Sequence, residues 1–120
     1  MYESGEDYLE AILRLQLENG FCRSVDVANK LAVSRPSVSR AMSLLEKDGF
    51  VEFGMGNMLK LTEKGKEKAE DVYNRHKLLT VFLQKITGLP EDQCEENACR
   101  VEHQIDADVV DGIQKWIDSN

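Results

Sequence analysis

The stretch "CRSVDVANKLAVSRPSVSRAMSLLEKDGFV", residues 22–51, constrains the fold more than any other. It holds two short amphipathic patterns, Val25, Val27, Ala28 and Leu31 in the first and Val38, Ala41, Met42, Leu44 and Leu45 in the second, separated by little more than "AVS". Ser24 and Ser34 stand where N-caps belong, their hydroxyls able to accept from the first amides of a helix, and Pro36 suits an opening turn whose amide has no helical partner. Two helices joined so tightly must cross at a steep angle, which is the helix-turn-helix arrangement. The plain alternative is an ordinary helical hairpin in which Arg35 and Arg40 are surface charges.

The next segment of the chain favours DNA. After Asp48 and Gly49 the period changes to alternation, with Val51 and Phe53, a turn over residues 54–57, then Leu59 and Leu61. A β-hairpin directly behind a helix-turn-helix makes the wing of a winged helix and puts Asn57 and Lys60 within reach of a DNA backbone. The serine-rich start of the second helix, Ser34, Ser37 and Ser39, agrees with that placement. The net charge of −7 argues against nucleic acid, because phosphate neutralisation needs Lys and Arg. Its distribution does not: residues 28–47 carry Lys30, Arg35, Arg40 and Lys47 against Glu46, whereas residues 91–120 carry nine acids against Arg100 and Lys115. For base readout the expected residue is Arg40, beside Ser37 and Ser39, since arginine pairs bidentately with guanine in the major groove; Arg35 and Lys60 are expected on phosphates.

Ahead of this region Leu9, Ile12, Leu13, Leu15 and Leu17 recur at mostly helical spacing from Glu6 until Asn19 and Gly20 supply a stop. Behind it, Thr62 can cap a long helix to about Gln84, Gly88 ends it, Pro90 opens another, and Asp106 or Asp108 caps a last helix with Val109, Val110, Ile113, Trp116 and Ile117. The expected architecture is mainly α with a small β-hairpin wing: a winged helix-turn-helix domain over residues 1–72 and an acidic helical domain over residues 73–120. Short helices with a wide apolar face commonly pack on a second copy, so a homodimer is expected, and two reading heads one helical turn apart suit a palindromic DNA site. No apolar run approaches the length of a membrane helix, and "MYESGEDY" lacks the basic and greasy character of a signal peptide. Cys22, Cys94 and Cys99 are odd in number and scattered, which fits reduced thiols; a cytoplasmic protein is expected.

"ACRVEHQI", residues 98–105, gathers Cys99, Glu102 and His103 in a chain with two histidines. On a helix these positions share one side and can bind one ion, with Ala98, Val101 and Ile105 on the buried side. Manganese or iron takes about six donors, so partners are expected elsewhere: Asp7 and Glu10 on one face of the first helix, and His76 in the long helix. The plain readings are that Asp7 and Glu10 serve the dipole in a first helical turn, that Glu102 and His103 are a solvated face, and that Cys99 is a small core residue. Taken singly, each of these is the simpler one.

Taken together, "GEDYLEAI", "ANKLAVSRPSVSRAMSLLEKDGFV", "LTEKGK", "NRHKLL" and "ACRVEH" resemble, in order and spacing and over nearly the whole chain, the diphtheria toxin repressor and manganese transport regulator family of metal-dependent repressors. The resemblance implies a winged-helix domain and a helical dimerisation domain, a divalent metal that favours DNA binding, and the ligands Asp7, Glu10, His76, Glu102 and His103. The sixth position is Cys99, as in the iron type, where the manganese type has glutamate; Asp7 matches the manganese type, where the iron type has methionine. The chain is a hybrid. The expected cofactor is Mn2+ or Fe2+, and an end at Asn120 without the further domain common in the iron type leans toward manganese. The function implied is repression of metal-homeostasis genes, not catalysis. Two alternatives are a winged-helix regulator answering to an organic ligand or to thiol oxidation at Cys99, where Glu102 would work against a low thiol pKa, and a metalloenzyme, for which no substrate pocket is legible.

Overall fold

The computed structural model describes residues 3–120. Among the described residues six α-helices and one hairpin follow in order, with a single 3-10 turn (Met55–Asn57) joining the two strands: α1 (Glu3–Asn19), α2 (Ser24–Leu31), α3 (Arg35–Lys47), β1 (Val51–Phe53), β2 (Leu59–Leu61), α4 (Glu63–Thr87), α5 (Glu91–Val101) and α6 (Ala107–Ser119). They divide into two compact units, Met1–Glu70 and Asp71–Asn120.

The first unit is a winged helix. Leu9 and Ile12 of α1, Val27 of α2, Val38 and Met42 of α3, Val51 of β1 and Leu59 of β2 are all buried, so the three helices and the hairpin share one core. The tight turn between α2 and α3 is made by Ala32 in the left-handed conformation at φ 55°, with the Val33 amide donating back to the Ala28 carbonyl (3.1 Å). The hairpin pairs Val51 with Leu61, Glu52 with Lys60 and Phe53 with Leu59, which turns Val51 and Leu59 inward. Its inner strand is pinned by the Leu59 amide donating to the Cys22 carbonyl (2.7 Å) and by Gln16 Nε2 donating to the Leu59 carbonyl (3.3 Å).

Sequence "LTEKGK" closes this unit. Thr62 Oγ1 donates to the Gly49 carbonyl (2.6 Å) and accepts from the Gly65 amide (3.1 Å), so the hydroxyl both caps α4 and ties it to the α3–β1 turn. Lys64 donates to the Asp48 carbonyl (2.9 Å) and lies 4.2 Å from the centre of the Phe50 ring. Gly65 meets the Phe50 backbone so closely that a Cβ there would lie 1.8 Å from its carbonyl oxygen.

Several local expectations are corrected. Arg23, not Ser24, is the N-cap of α2, and its amide donates to the Asp26 carboxylate (3.0 Å) instead of a hydroxyl taking the first amides. Leu17 and Leu44 are exposed, at 67% and 63%, because the buried stripes of α1 and α3 are narrower than their apolar composition suggests. The helix α4 runs to Thr87 and ends at Gly88 with φ 71°. The start of α1 at Glu3 puts Glu3 and Glu6 in its first turn and Asp7 and Glu10 beyond it, where a dipole role fades.

In the second unit Val72, Leu79, Cys94 and Ala98 are buried, and Phe82 meets Trp116 edge to face with ring centres 5.5 Å apart. No residue of α6 is buried.

Candidate DNA interface and metal centre

The start of α3 is built to hold an arginine at the surface. Ser34 Oγ accepts from the Ser37 amide (3.2 Å) and donates to Ser37 Oγ (2.8 Å), and Arg40 Nη2 donates to the same Ser37 oxygen (3.4 Å). The N-cap therefore fixes a serine, and the serine steers the guanidinium along the helix. Arg35, Pro36, Ser39 and Arg40 are exposed. Ser43 and Leu44, at i+4 spacing from Ser39 and Arg40, continue the same exposed face one turn on. On the wing Asn57 and Lys60 are exposed. Asn57 takes φ 63° in the turn, and Glu52 sits directly across the hairpin from Lys60.

The second unit gathers the two histidines on one carboxylate. Glu102 is 1% exposed, with its Oε2 2.9 Å from His76 Nδ1 and its Oε1 3.4 Å from His103 Nε2. It follows Cys94 and Ala98 at four-residue spacing, so a carboxylate occupies the third position of the buried stripe, while Val101 is 39% exposed. Glu102 and His103 lie in the turn just past the end of α5, although the Glu102 amide still donates to the Ala98 carbonyl (2.9 Å). Cys99 is exposed on the last turn of α5. Asp7 and Glu10 belong to α1 of the first unit, where Glu10 is buried and its Oε2 lies 3.9 Å from Arg14 Nη1.

Buried charge is retained in proteins chiefly where it is paired or holds a metal. One carboxylate against two imidazoles is a nitrogen and oxygen donor set that fits a divalent transition metal ion. Cys22 and Cys94 are buried; burial, helped by Asp26, pushes the Cys22 thiol up to about 12, so it stays protonated at neutral pH.

Two family models match the chain: the iron dependent repressor N-terminal DNA binding domain over residues 1–55, and the iron dependent repressor metal binding and dimerisation domain over residues 62–119. The HTH-type transcriptional regulator MntR of Bacillus subtilis is 36% identical over 110 residues, which cover 92% of this chain and 77% of that protein. The iron-dependent repressor IdeR of Mycobacterium tuberculosis is 34% identical over 119 residues, covering 99% of this chain and 52% of that one. Among solved structures, IdeR of T. acidophilum superposes with a TM-score of 0.85 at 25% identity, over 93% of this chain and 53% of that one. The chain thus spans about half the length of the two IdeR proteins. With both family models matched and the winged helix and the histidine-flanked carboxylate in place, the chain belongs to the iron-dependent repressor family.

Proposed function

We propose that this protein is a metal-activated transcriptional repressor of metal-ion homeostasis that binds a palindromic operator as a homodimer, with Mn2+ or Fe2+ as its activating ion. The observation that carries this reading is Glu102, buried between His76 and His103. It is supported by the metal-binding and dimerisation model over residues 62–119 and by relatives named for manganese and iron regulation. We assign DNA reading to residues 1–72 and metal binding and dimerisation to residues 73–120. With operator DNA as its partner, its site of action is the cytoplasm. Among the described residues no helix is long and apolar enough to cross a membrane.

In this reading His76, Glu102 and His103 hold the ion, and Asp7, Glu10 and Cys99 complete the donor set. A bound divalent ion supplies positive charge that offsets Asp7, Glu10 and Glu102. Holding one ion with residues of α1 and of α4–α5 would fix the spacing of the two reading heads of a dimer before DNA arrives, so that this ordering no longer opposes operator binding. Arg40 then reads a base, with Ser37 steering it and Ser39 beside it, while Arg35, the Pro36 turn, Asn57 and Lys60 position the backbone. The apolar face of α6, with Val109 and Trp116 exposed at 48% and 40%, is where a second copy packs.

Cys99 sets the choice of ion. A thiolate favours later, softer ions, whereas the carboxylate of Asp7 suits manganese. The test is anisotropy of a labelled duplex, selected by the wild-type protein from random sequence, titrated anaerobically with Mn2+, Fe2+ and Zn2+. Metal is expected to tighten binding, and Cys99→Glu to move the preference toward Mn2+. If no ion changes the affinity, the metal switch is wrong; if Cys99→Glu leaves the ion order unchanged, Cys99 is not a ligand.

For base readout, Arg40→Ala is expected to cost about 1–3 kcal/mol on the selected duplex and much less on random DNA. Equal losses on both duplexes would make Arg40 a phosphate contact.

A further inference from the structure

Glu102 is held at both ends by consecutive residues of α4. Its carboxylate meets His76 Nδ1 (2.9 Å), and its backbone carbonyl accepts from Arg75 Nη1 (3.4 Å). The same Arg75 nitrogen donates more closely to the Ile105 carbonyl (2.8 Å). Behind it, Arg75 Nε lies 3.5 Å from Asp71 Oδ2, one turn earlier on α4.

The last carbonyls of a helix have no partner within it, and α5 ends at Val101 with its chain turning through residues 102–105 toward α6. A guanidinium placed there satisfies two carbonyls of that turn and puts a cation at the negative end of α5. The turn carries Glu102 and His103, so whatever fixes its backbone fixes where both side chains stand. Without Arg75 the carboxylate would keep its bond to His76 and the Glu102 amide its bond to Ala98, but the Glu102 and Ile105 carbonyls would lose the donor that ties the turn to α4.

We propose that Arg75 is a positioning residue for the metal ligands Glu102 and His103, acting through the backbone of the turn that bears them. The inference rests on the metal reading given above. Lysine is a poor replacement, because its ammonium is a strongly hydrated point charge on a flexible stem, not a planar donor group held rigidly against two carbonyls. Outer partners that orient ligands typically govern metal affinity by 10- to 100-fold.

Two measurements on the whole chain decide this: Mn2+ affinity by calorimetry, and the visible absorption of Co2+ bound in its place, which reports ligand geometry directly. Arg75→Lys is expected to weaken Mn2+ binding by roughly 10-fold or more and to alter the Co2+ band, while the metal-free protein melts within a few degrees of wild type. Arg75→Gln keeps a donor amide without the charge or the planar guanidinium; it is expected to weaken Mn2+ binding in the same direction, and it decides the matter should Arg75→Lys fail to fold. If wild type binds Mn2+ and these variants bind it equally well with an unchanged Co2+ spectrum, the positioning role is overturned and the metal site stands. If wild type takes up neither ion, the metal reading itself falls and the inference with it.

Discussion

Exchanging Glu102 for glutamine is expected to abolish metal-dependent DNA binding while leaving the metal-free protein at least as stable as wild type. The carboxylate is almost fully buried between two imidazoles, an arrangement that costs solvation in the empty protein. Glutamine keeps the shape and one acceptor for His76 but removes the charge on which a cation depends. Metal affinity should fall by about 100-fold or more, which is roughly 2.7 kcal/mol, and operator affinity in Mn2+ should drop to the metal-free level. Thermal melts with and without Mn2+ separate the possibilities: wild type should gain stability from the ion and the variant should not. A variant that melts far below wild type without metal would show that Glu102 is there to hold the fold, and the site built on it would lose its main support.

A large effect of another kind is expected at Gly65. An alanine Cβ would lie 1.8 Å from the Phe50 oxygen and 2.8 Å from the Phe50 carbonyl carbon, and backbone atoms cannot rotate away as a side-chain tip can. Relief requires α4 to lift from the α3–β1 turn, which stretches the bonds from Thr62 to Phe50 (3.1 Å) and to Gly49 (2.6 Å) and that from Lys64 to Asp48 (2.9 Å). Gly65→Ala should therefore cost about 3 kcal/mol, which for a chain of this size lowers the melting temperature by roughly 10–15 °C. DNA affinity should suffer with metal and without it, unlike the pattern expected for Glu102. A melting temperature within 2 °C or so of wild type would mean that the contact is readily relaxed.

The winged helix was legible because its signals are local. The pair of short helices, the Ser34 cap, the alternation through Val51 and Leu59 and the Thr62 cap each depend on neighbours a few residues away, and each stands as expected. The failures share a cause as well. Periodicity assigned Val101 to the buried side of α5 and a solvated face to Glu102 as its simplest role, whereas Glu102 is buried by a partnership with His76, 26 residues distant. Leu44 looked like core and is exposed, because the turn of α3 that shows Ser39 and Arg40 also shows Leu44. Arg75 gave no signal at all: its partners are carbonyl groups, which every residue possesses, so no side-chain pattern announces them. Residue spacing put Glu102 and His103 on one side of a helix with His76 as an expected partner, but spacing alone left a solvated face as the simpler account, and the resemblance tipped the balance.

The helix α6 buries none of its residues within the protomer, although Val109, Ile113, Trp116 and Ile117 give it a continuous apolar side. A helix of 13 residues is marginal by itself in water, so its order depends on what covers that side. With a second copy as the cover, the fraction of well-formed protein rises with its own concentration. Cellular copy number then acts as an input beside metal: a cell that makes few copies leaves operators open at an ion level that would close them in a cell that makes many. The response threshold of such a regulator is a property of its expression as much as of its donor atoms.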